Sequence, residues 1–348
     1  MKKMTVLIVS EDRDYCINVS NYFKNYYNEN TIIVYCNSLE NLKEYIHNNN
    51  AQIVLCEPEF RDTVGEYASN IGAIYTIVDS NGSEEEGTVS KYISAPALYS
   101  ELLFIYSRFA GRDKASNLQN YVPIYMFISP DSSGASTLSA AFSYNLASYG
   151  KRVLYIGLDG LSDYSMLVPV NGTKGMSDII GSFKSSAGNV TLTARSVTSS
   201  GSVAFINGCK RFDDMSELND QECEDVFAAI FSSGEYDAIV IDFSLCFVNL
   251  WNYAAKNANI IFAVAENSQW SIKKMNKFID AVNTRDFRGG LEAAEKLEVI
   301  INRSATGQPV CEVSCPRVSF VPKYQGSSNM ETAQKISVDR LWTDVVRR

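Results

Sequence analysis

The most informative stretch for the architecture is SPDSSGASTLS, residues 129–139. An apolar run, IYMFI at residues 124–128, precedes it, and a segment of helical character, residues 140–149, follows it. A strand, a loop of small residues and a helix are the layout of a phosphate-binding loop, in which backbone N–H groups at the start of the helix hold the phosphate. The lysine that such a loop carries is absent, so the stretch is either a nucleotide site without its lysine or an ordinary helix cap.

Apolar segments of strand length recur on the carboxyl side of this loop and alternate with segments of helical character. The predicted strands lie at RVLYIGLD (152–159), VAFING (203–208), DAIVIDF (237–243), NIIFAVAE (259–266), LEVIINR (297–303) and VSFVPK (318–323). Short apolar strands that alternate with helices form parallel sheets covered on both faces. Residues 123–348 are therefore predicted to form a doubly wound α/β domain.

The first hundred residues show the same alternation. The predicted strands are TVLIV (5–9), TIIVYC (31–36), QIVLCE (52–57), AIYTIVD (73–79) and SKYI (90–93). Five such units predict a flavodoxin-like doubly wound domain, whose ligands bind at the carboxyl ends of the strands. The sequence thus predicts an α/β protein with two parallel-sheet domains, at residues 1–110 and 123–348, joined by a polar linker at residues 111–122.

Composition excludes several classes of protein. A chain of 348 residues with a net charge of −9 has no block of lysine or arginine, which argues against a nucleic-acid partner. No apolar run approaches the roughly 20 residues of a membrane-spanning helix, and the first residues do not resemble a signal peptide, so a cytoplasmic protein is expected. Eight scattered cysteines and one histidine favour free thiols over disulfides or a zinc site. Serine and glycine are dense in residues 181–201, which indicates a surface loop or a partner-facing segment.

The order and spacing of the segments in the second half resemble the ParA/MinD family of deviant Walker A ATPases. That resemblance implies ATP and Mg²⁺ as ligands. It aligns Asp131 and Ser136 with the two lysines of the family loop, Thr137 and Asp242 with the magnesium-binding residues, and Asp159 with a catalytic aspartate. The residues expected around the nucleotide are Ser132, Ser133, Gly134, Ala135, Ser136, Thr137, Asn302 and Pro322.

The substitutions in this loop weaken catalysis more than binding. Backbone N–H groups and the positive end of the following helix do not depend on lysine, so they remain available to a phosphate. Each lost lysine contact is worth about 1.5 to 3 kcal/mol. Phosphoryl transfer relies mainly on positioned positive charge, so the sequence predicts at most a weak ATPase, with an ordinary active ATPase as the alternative.

Residues 1–110 resemble a response-regulator receiver domain. Glu11 and Asp12 match its acidic pair, and Glu57 stands where the phosphorylated aspartate belongs. Ala95, which precedes Pro96, is aligned with the position of the family's lysine. Because the acceptor aspartate and the lysine are both replaced in this alignment, the resemblance implies a degenerate receiver that serves as a docking or dimerising surface.

A degenerate receiver followed by an atypical ParA/MinD-type domain resembles the TadZ/CpaE family, which organises tight-adherence type IV pilus machinery. The resemblance implies a non-motor localisation hub at the cell pole or the inner face of the membrane. Its partners would be a second copy, bound through the ATPase-like domain, and other pilus assembly proteins. The alternatives are an active positioning ATPase and a signalling protein regulated through the receiver-like domain.

The carboxyl-terminal segment carries Val338, Leu341, Trp342 and Val345 at helical spacing and ends in Arg347 and Arg348. An apolar helical face of this kind packs on the domain's own sheet or touches a membrane surface. Two terminal arginines attract anionic lipid weakly. Packing on the sheet is therefore the favoured interpretation, and membrane contact is at most peripheral.

Overall fold

A computed structural model describes residues 3–28, 30–79, 87–108, 122–158, 164–169, 173–185, 188–199, 201–245, 248–284, 290–324, 326 and 328–346. The chain divides into two compact units. Unit 1 comprises Met1–Asp113 together with Lys184–Ser196, and unit 2 comprises Lys114–Phe183 together with Val197–Arg348. The first unit thus includes a short segment from far along the chain.

Unit 1 contains a five-stranded parallel sheet. Its strands are β1 (Met4–Val9), β2 (Thr31–Cys36), β3 (Ala51–Cys56), β4 (Ile71–Val78) and β5 (Thr88–Ser90). Their spatial order is β2-β1-β3-β4-β5, which is the flavodoxin-like doubly wound order. The central strands β1 and β3 are almost entirely buried because helices cover both faces of the sheet. The predicted fold class is confirmed for this unit.

Helices cover the sheet of unit 1, and polar side chains fix where they begin. The helices are α1 (Arg13–Tyr26), α2 (Leu39–Asn48), α3 (Arg61–Gly65) and α4 (Ala95–Ser107). Asp12, Ser38 and Ser94 each accept a hydrogen bond from a backbone N–H in the first turn of the helix that follows. Such caps satisfy N–H groups that have no partner inside the helix.

Unit 2 contains an eight-stranded sheet in which only β8 runs antiparallel to its neighbour. Its strands are β6 (Ile124–Ile128), β7 (Val153–Leu158), β8 (Thr198–Ser199), β9 (Ala204–Ile206), β10 (Ala238–Phe243), β11 (Ile260–Glu266), β12 (Leu297–Asn302) and β13 (Val318–Phe320). The spatial order is β13-β12-β11-β6-β10-β7-β9-β8. Strand β6 pairs with β10 on one side and β11 on the other, so the loop after β6 lies at a switch point, where doubly wound sheets bind ligands.

The helices of unit 2 are α5 (Ala135–Ser148), α6 (Met176–Lys184), α8 (Asp220–Phe231), α9 (Val248–Asn257), α10 (Gln269–Asn283), α11 (Gly290–Lys296), α12 (Asn329–Ser337) and α13 (Arg340–Val346). The remaining helix, α7, spans Val190–Val197. Within the described ranges, no helix combines the length and apolar character needed to cross a bilayer.

The serine- and glycine-rich region is largely helical, so the prediction of a loop over residues 181–201 is wrong. Helix α6 ends there, and the part of α7 up to Ser196 belongs to unit 1. Leu192 is buried in the core of unit 1, and the hydroxyl of Thr193 donates to the hydroxyl of Ser107 over 2.8 Å. The backbone N–H of Asn189 also donates to the carbonyl of Ser107. Composition indicated a loop, whereas one buried leucine and a few hydroxyl contacts are enough to dock a short helix.

The tail packs on its own domain, as favoured from the sequence. Trp342 is fully buried against Phe127, Phe142 and Phe262, and its indole N–H donates to the carbonyl of Ile336 over 2.9 Å. A buried tryptophan with its N–H satisfied contributes apolar burial without an unpaired donor. Trp342 is therefore part of the core, with Leu341 packed against it, whereas Val338 of the predicted face is 81% exposed.

Candidate functional site

The loop after β6 has the backbone form of an anion-binding turn. Two of its residues have positive φ, Ser132 at 60° and Gly134 at 98°. A Cβ atom on Gly134 would lie 2.6 Å from Nδ2 of Asn302, so a side chain there would meet both backbone strain and a close neighbour. Glycine is retained at the one loop position where no other residue fits.

Side chains inside the loop bond to one another. The Asp131 carboxylate accepts hydrogen bonds from the hydroxyls of Ser129 and Ser133. The backbone N–H of Ser133 donates to the Ser129 hydroxyl over 2.8 Å, and the Ser133 hydroxyl lies 3.1 Å from that of Ser271 at the start of α10. The Asp131 carboxylate is thus hydrogen-bonded by two hydroxyls of the same loop.

The first turn of α5 supplies the donors for a phosphate. The helix is 14 residues long and begins directly after Gly134. Among the described residues, no acceptor bonds the backbone N–H groups of Ala135, Ser136 or Thr137. Unpaired N–H groups at the positive end of a helix attract anions. The loop and this turn therefore fit a phosphate group without a lysine.

Asp242 ends β10 beside the loop-bearing strand β6 and is 2% exposed. Its Oδ2 accepts a hydrogen bond from the Tyr164 hydroxyl over 3.1 Å and a longer one from Tyr155 over 3.5 Å. The Tyr155 hydroxyl also lies 3.1 Å from the hydroxyl of Ser139 on α5. Burial, and then the nearby Asp242 charge, raise the pKa of Tyr155 well above its ordinary value, so the phenol stays protonated and can donate.

Gly157 in β7 makes room for the Tyr164 ring. A Cβ atom at position 157 would lie 2.4 Å from Cε2 of Tyr164, and one on Gly208 would lie 3.6 Å from the same atom. Gly157 pairs directly with Asp242 across the sheet. Gly157 therefore leaves the space that seats a tyrosine against the Asp242 carboxylate. Sequence reasoning missed Tyr155 and Tyr164, although a glycine inside an apolar strand does signal a close approach.

Asn302 and Pro322 follow neighbouring strands at the same edge of the sheet. The buried amide of Asn302 donates to the carbonyl of Ser133 over 2.9 Å, while its carbonyl accepts from the N–H of Arg303. Pro322 is exposed two residues after the end of β13. The structure thus connects Asn302 to the phosphate loop, and its predicted contact with adenine stays a prediction. The predicted catalytic residue Asp159 lies outside the described residues.

A magnesium ion fits this arrangement less well than a phosphate does. Mg²⁺ requires oxygen ligands in near-octahedral geometry. The Asp242 carboxylate already accepts tyrosine hydroxyls in a buried setting, so a cation there would have to displace donors that are in place. Thr137 lies half-buried in the first turn of α5. As arranged, the residues fit the nucleotide's phosphates and do not fit the metal.

Unit 1 carries a second polar cluster at the carboxyl ends of β1, β3 and β5. The Lys91 ammonium lies 3.0 Å from Oδ2 of Asp12 and 3.3 Å from Oε1 of Glu57. Glu57 also accepts hydrogen bonds from the Ser10 hydroxyl and the Glu11 backbone N–H. Of the predicted acidic residues, the structure brings the side chains of Asp12 and Glu57 together around one cation, while Glu11 takes part through its backbone.

The prediction that this cluster lacks a lysine is wrong. Strand β5 ends at Ser90, earlier than the sequence suggested, so Lys91 follows the strand directly while Ala95 and Pro96 begin α4. A hydrogen bond from the N–H of Tyr15, and then the Lys91 ammonium, lower the pKa of Asp12. Burial lowers the pKa of Lys91, but its bonds to Asp12 and Glu57 outweigh burial and raise it overall.

With the geometry in place, solved structures show which fold unit 2 has. The ParA family ATPase from Chlorobium tepidum TLS matches with a TM-score of 0.51 at 16% identity, covering 66% of this chain and 99% of its own. A plasmid partition protein from Borrelia burgdorferi matches with a TM-score of 0.48 at 15% identity, covering 66% and 99% respectively. No protein-family model and no curated protein matches the chain. The share of the chain that the first match covers corresponds to the length of unit 2. The fold class of unit 2 is that of ParA-type P-loop NTPases.

Proposed function

We propose that the protein is a non-motor positioning hub in which unit 2 uses a bound nucleotide as a structural clasp. The observation that carries the proposal is the Asp242 carboxylate, which is buried and bonded by tyrosine hydroxyls next to a phosphate loop without lysine. Phosphate binding needs the loop N–H groups, which are available. Hydrolysis needs positive charge around the transferring phosphoryl group, and the loop sequence, residues 129–139, contains no lysine or arginine to supply it.

The ligand in this proposal is ATP, held by its phosphates at residues 132–137. The chain's own residues bind and orient: the first turn of α5 donates to the phosphates, and Asn302 fixes the loop through Ser133. The role of Pro322 beside the base remains part of the proposal. Coordination of Mg²⁺ by Thr137 and Asp242, which the resemblance implies, does not, because tyrosine hydroxyls already donate to the Asp242 carboxylate.

A second copy of the chain is the partner that this edge of unit 2 favours. Val248, Met166 and Val310 are large apolar side chains, each more than half exposed, and each lies five to eight residues beyond the carboxyl end of a strand. Apolar side chains exposed around a ligand-binding edge are typical of an interaction surface. The ParA-type fold, together with the sequence resemblance to the TadZ/CpaE family, extends the proposal to a hub that organises tight-adherence pilus components.

Unit 1 serves in this proposal as a docking surface and not as a phosphoacceptor. Glu57 already accepts three donors, from Ser10, Glu11 and Lys91, so its carboxylate is held in place by the fold. Incubation with a small phosphodonor is expected to leave unit 1 unlabelled.

The test restores and removes phosphate contacts in the loop. Ser136→Lys is expected to tighten ATP binding about tenfold to a hundredfold, because one charge-assisted contact of about 1.5 to 3 kcal/mol returns. Thr137→Ala is expected to weaken binding, as measured by calorimetric titration. Ser148→Lys, at the other end of α5, is the matched control and is expected to leave the affinity unchanged.

Turnover separates the hub from an active ATPase. We expect no ATP hydrolysis above background by the wild-type protein, and polar foci of a fluorescent fusion that do not depend on hydrolysis. Turnover that disappears in Asp242→Ala would establish an active ATPase and refute the proposal. Absence of ATP binding by both wild type and Ser136→Lys would refute the nucleotide clasp.

A further inference from the structure

Helix α10 presents a basic and aromatic face to solvent. Trp270, Lys273, Lys274 and Lys277 are spaced by three, four and seven residues, so they lie on one side of the helix. Trp270 is 78% exposed, and all three lysines are exposed. We refer to these four residues as the basic–aromatic face. A chain with a net charge of −9 has concentrated positive charge around its most exposed tryptophan.

This face has no partner within the part of the chain that the structure describes. The opposite side of α10 packs into unit 2 through Ile272, Met275, Ile279 and Val282. None of the three lysines forms an ion pair with a described carboxylate, whereas Lys210, Lys256 and Lys335 in the same unit each do. Asp280 lies at the margin of the face, one turn beyond Lys277. The helix is thus anchored on one side and unpartnered on the other.

The start of α10 is held firmly, so the face has a fixed orientation on unit 2. Ser268 caps the helix, and the N–H of Glu266 donates to the Ser271 hydroxyl over 2.8 Å. The Ser271 hydroxyl in turn lies 3.1 Å from that of Ser133 in the phosphate loop. Trp270 directly precedes Ser271 in the chain. An exposed indole on a rigid helical turn loses little conformational freedom when it binds.

We propose that the basic–aromatic face binds the surface of an anionic lipid bilayer. Indole rings are enriched at the level of lipid headgroups, and lysine stems reach along the interface while their ammonium groups meet the headgroup charges. Anionic headgroups attract basic side chains that lie near the bilayer. The charge of the face is complementary to such a surface, and its one aromatic anchor has the amphipathic character that the interface favours.

The composition of the face favours lipid over other anionic partners. Protein interfaces are enriched in arginine and depleted of lysine. Base recognition relies on arginine or amide side chains that form paired hydrogen bonds. Here all three cations are lysines, which are flexible, strongly hydrated point charges suited to a diffuse field of headgroups. The face covers two helical turns, about 10 Å, too short to follow a nucleic-acid backbone far.

This inference concerns a surface separate from the tail. Trp342 is buried in the core, so the face centred on it does not present its indole to a membrane. The proposal does not require nucleotide binding, and its test is carried out without nucleotide. Absence of nucleotide binding would not contradict lipid binding by this face, and absence of lipid binding would not contradict nucleotide binding.

The test measures binding of the full chain to vesicles at low ionic strength. We expect co-sedimentation with vesicles of equal parts phosphatidylcholine and phosphatidylglycerol, and none with phosphatidylcholine alone. The chain has three tryptophans, of which Trp251 and Trp342 are buried, so a blue shift on binding reports the Trp270 environment. We expect that shift, together with reduced quenching by acrylamide, only with the anionic vesicles.

Variants separate the roles of charge and indole. Replacing Lys273, Lys274 and Lys277 by glutamine is expected to weaken binding about a hundredfold, at about fivefold for each charge. Trp270→Ala is expected to weaken it severalfold. The matched control replaces three exposed lysines elsewhere, Lys24, Lys43 and Lys151, by glutamine, and is expected to bind as the wild type does. Circular dichroism verifies that each variant is folded.

Three outcomes would overturn the proposal. The first is no binding to anionic vesicles at low ionic strength. The second is equal binding by the α10 triple variant and the wild type. The third is tighter binding of the wild type to a short DNA duplex than to the vesicles, with loss of DNA binding in the α10 variant, which would assign the face to nucleic acid.

Discussion

The two units carry corresponding polar sites that stabilise their carboxylates by different means. In unit 1, the partly exposed Asp12 and the mostly covered Glu57 share the ammonium of Lys91. In unit 2, Asp242 is buried, and its described partners are the hydroxyls of Tyr164 and Tyr155. Both sites lie at the carboxyl ends of strands in doubly wound sheets, where ligands bind.

The carboxylates are stabilised differently because they are buried to different depths. A lysine near the surface keeps part of its hydration while it balances two carboxylates, so an ion pair suffices in unit 1. A deeply buried carboxylate needs donors fixed within the fold, because desolvation makes an unsatisfied charge costly. Each site is internally satisfied, but disruption of the buried one is expected to cost more. Three substitutions test this contrast.

Gly157→Ala is expected to have the largest effect. The new methyl group would lie within 2.6 Å of three Tyr164 ring atoms, so the ring must leave its seat against Asp242 or the strand must shift. Overpacking of this kind costs about 1 to 3 kcal/mol. The change is measurable by urea denaturation followed by tryptophan fluorescence, since all three tryptophans lie in unit 2.

Gly181→Ala is the matched control. Gly181 lies inside α6, and no atom stands within 4 Å of the position that an added Cβ atom would take, so alanine meets open space. Alanine in a helix interior is favoured over glycine by about 0.5 to 1 kcal/mol. Equal destabilisation by both substitutions would show that the Tyr164 seat is not what Gly157 provides.

Asn302→Ala is expected to have the next largest effect. Its amide donates to the Ser133 carbonyl and its carbonyl accepts from Arg303, both over 2.9 Å in a buried setting. Loss of these bonds leaves buried groups unsatisfied, which costs about 1 to 3 kcal/mol. The free energy of unfolding of unit 2, measured as above, is expected to fall by this amount.

Asn276→Ala is the control for exposure. Asn276 makes the same pair of bonds, to the carbonyl of Glu312 and from the N–H of Ser314, at 2.8 and 2.9 Å, but where water has access. Water replaces the lost partners there, so the expected cost is about 1 kcal/mol or less. If Asn276→Ala costs as much as Asn302→Ala, burial is not what distinguishes the loop contact.

Lys91→Met is expected to have the smallest effect on stability, about 0.2 to 1 kcal/mol, because its partners are partly hydrated. The effect is expected to shrink as salt is added. Hydrogen exchange of β1, β3 and β5 measures it, since unit 1 has no tryptophan. Lys335→Met, which removes the exposed i,i+4 pair with Glu331, is the control and is expected to change stability by a few tenths of a kcal/mol.

The effect of Lys91→Met on stability is expected to depend on pH. The pKa of Asp12 is lowered in the folded protein, so its contribution is present above the ordinary value of 3.8 and is lost as the pH falls through the lowered pKa. The pKa of Lys91 is raised, so its contribution is lost only as the pH rises through a value above 10.5. The stability difference between wild type and Lys91→Met is therefore expected to be flat near neutrality and to shrink at both extremes. A difference that grows below pH 3.8 would contradict the ion pair.

Much of the architecture could be predicted from the sequence. Apolar segments of strand length that alternate with helices predicted two parallel α/β sheets, since burial on both faces imposes that pattern locally. The strand–loop–helix arrangement around residues 129–139 was predictable because its small residues lie between an apolar run and a segment of helical character. The burial of Trp342 in the tail was also predictable, because apolar residues at helical spacing need a surface to cover, whereas the exposure of Val338 was not.

The errors arose where local signals were weak. The sequence pattern predicts a strand that extends past Lys91 and so gives this residue no role. The exact end of β5 depends on its pairing with β4, which the local sequence does not specify. Helix α7 was expected to be a loop because its composition is polar, although Leu192 gives it a place in the core of unit 1. Both cases required knowledge of which distant residues come into contact.

The sequence by itself determined the two-sheet architecture and the absence of lysine from the loop after β6, because strand periodicity and residue identity are properties of the local chain. Tertiary structure alone decided which side chains contact the carboxylates and the loop after β6. It placed Lys91 between Asp12 and Glu57, turned the Asn302 amide onto the loop, and seated Tyr164 against Asp242 in the space that Gly157 leaves. Such contacts join residues far apart in the chain, and their energies depend on burial, which only the packed fold creates.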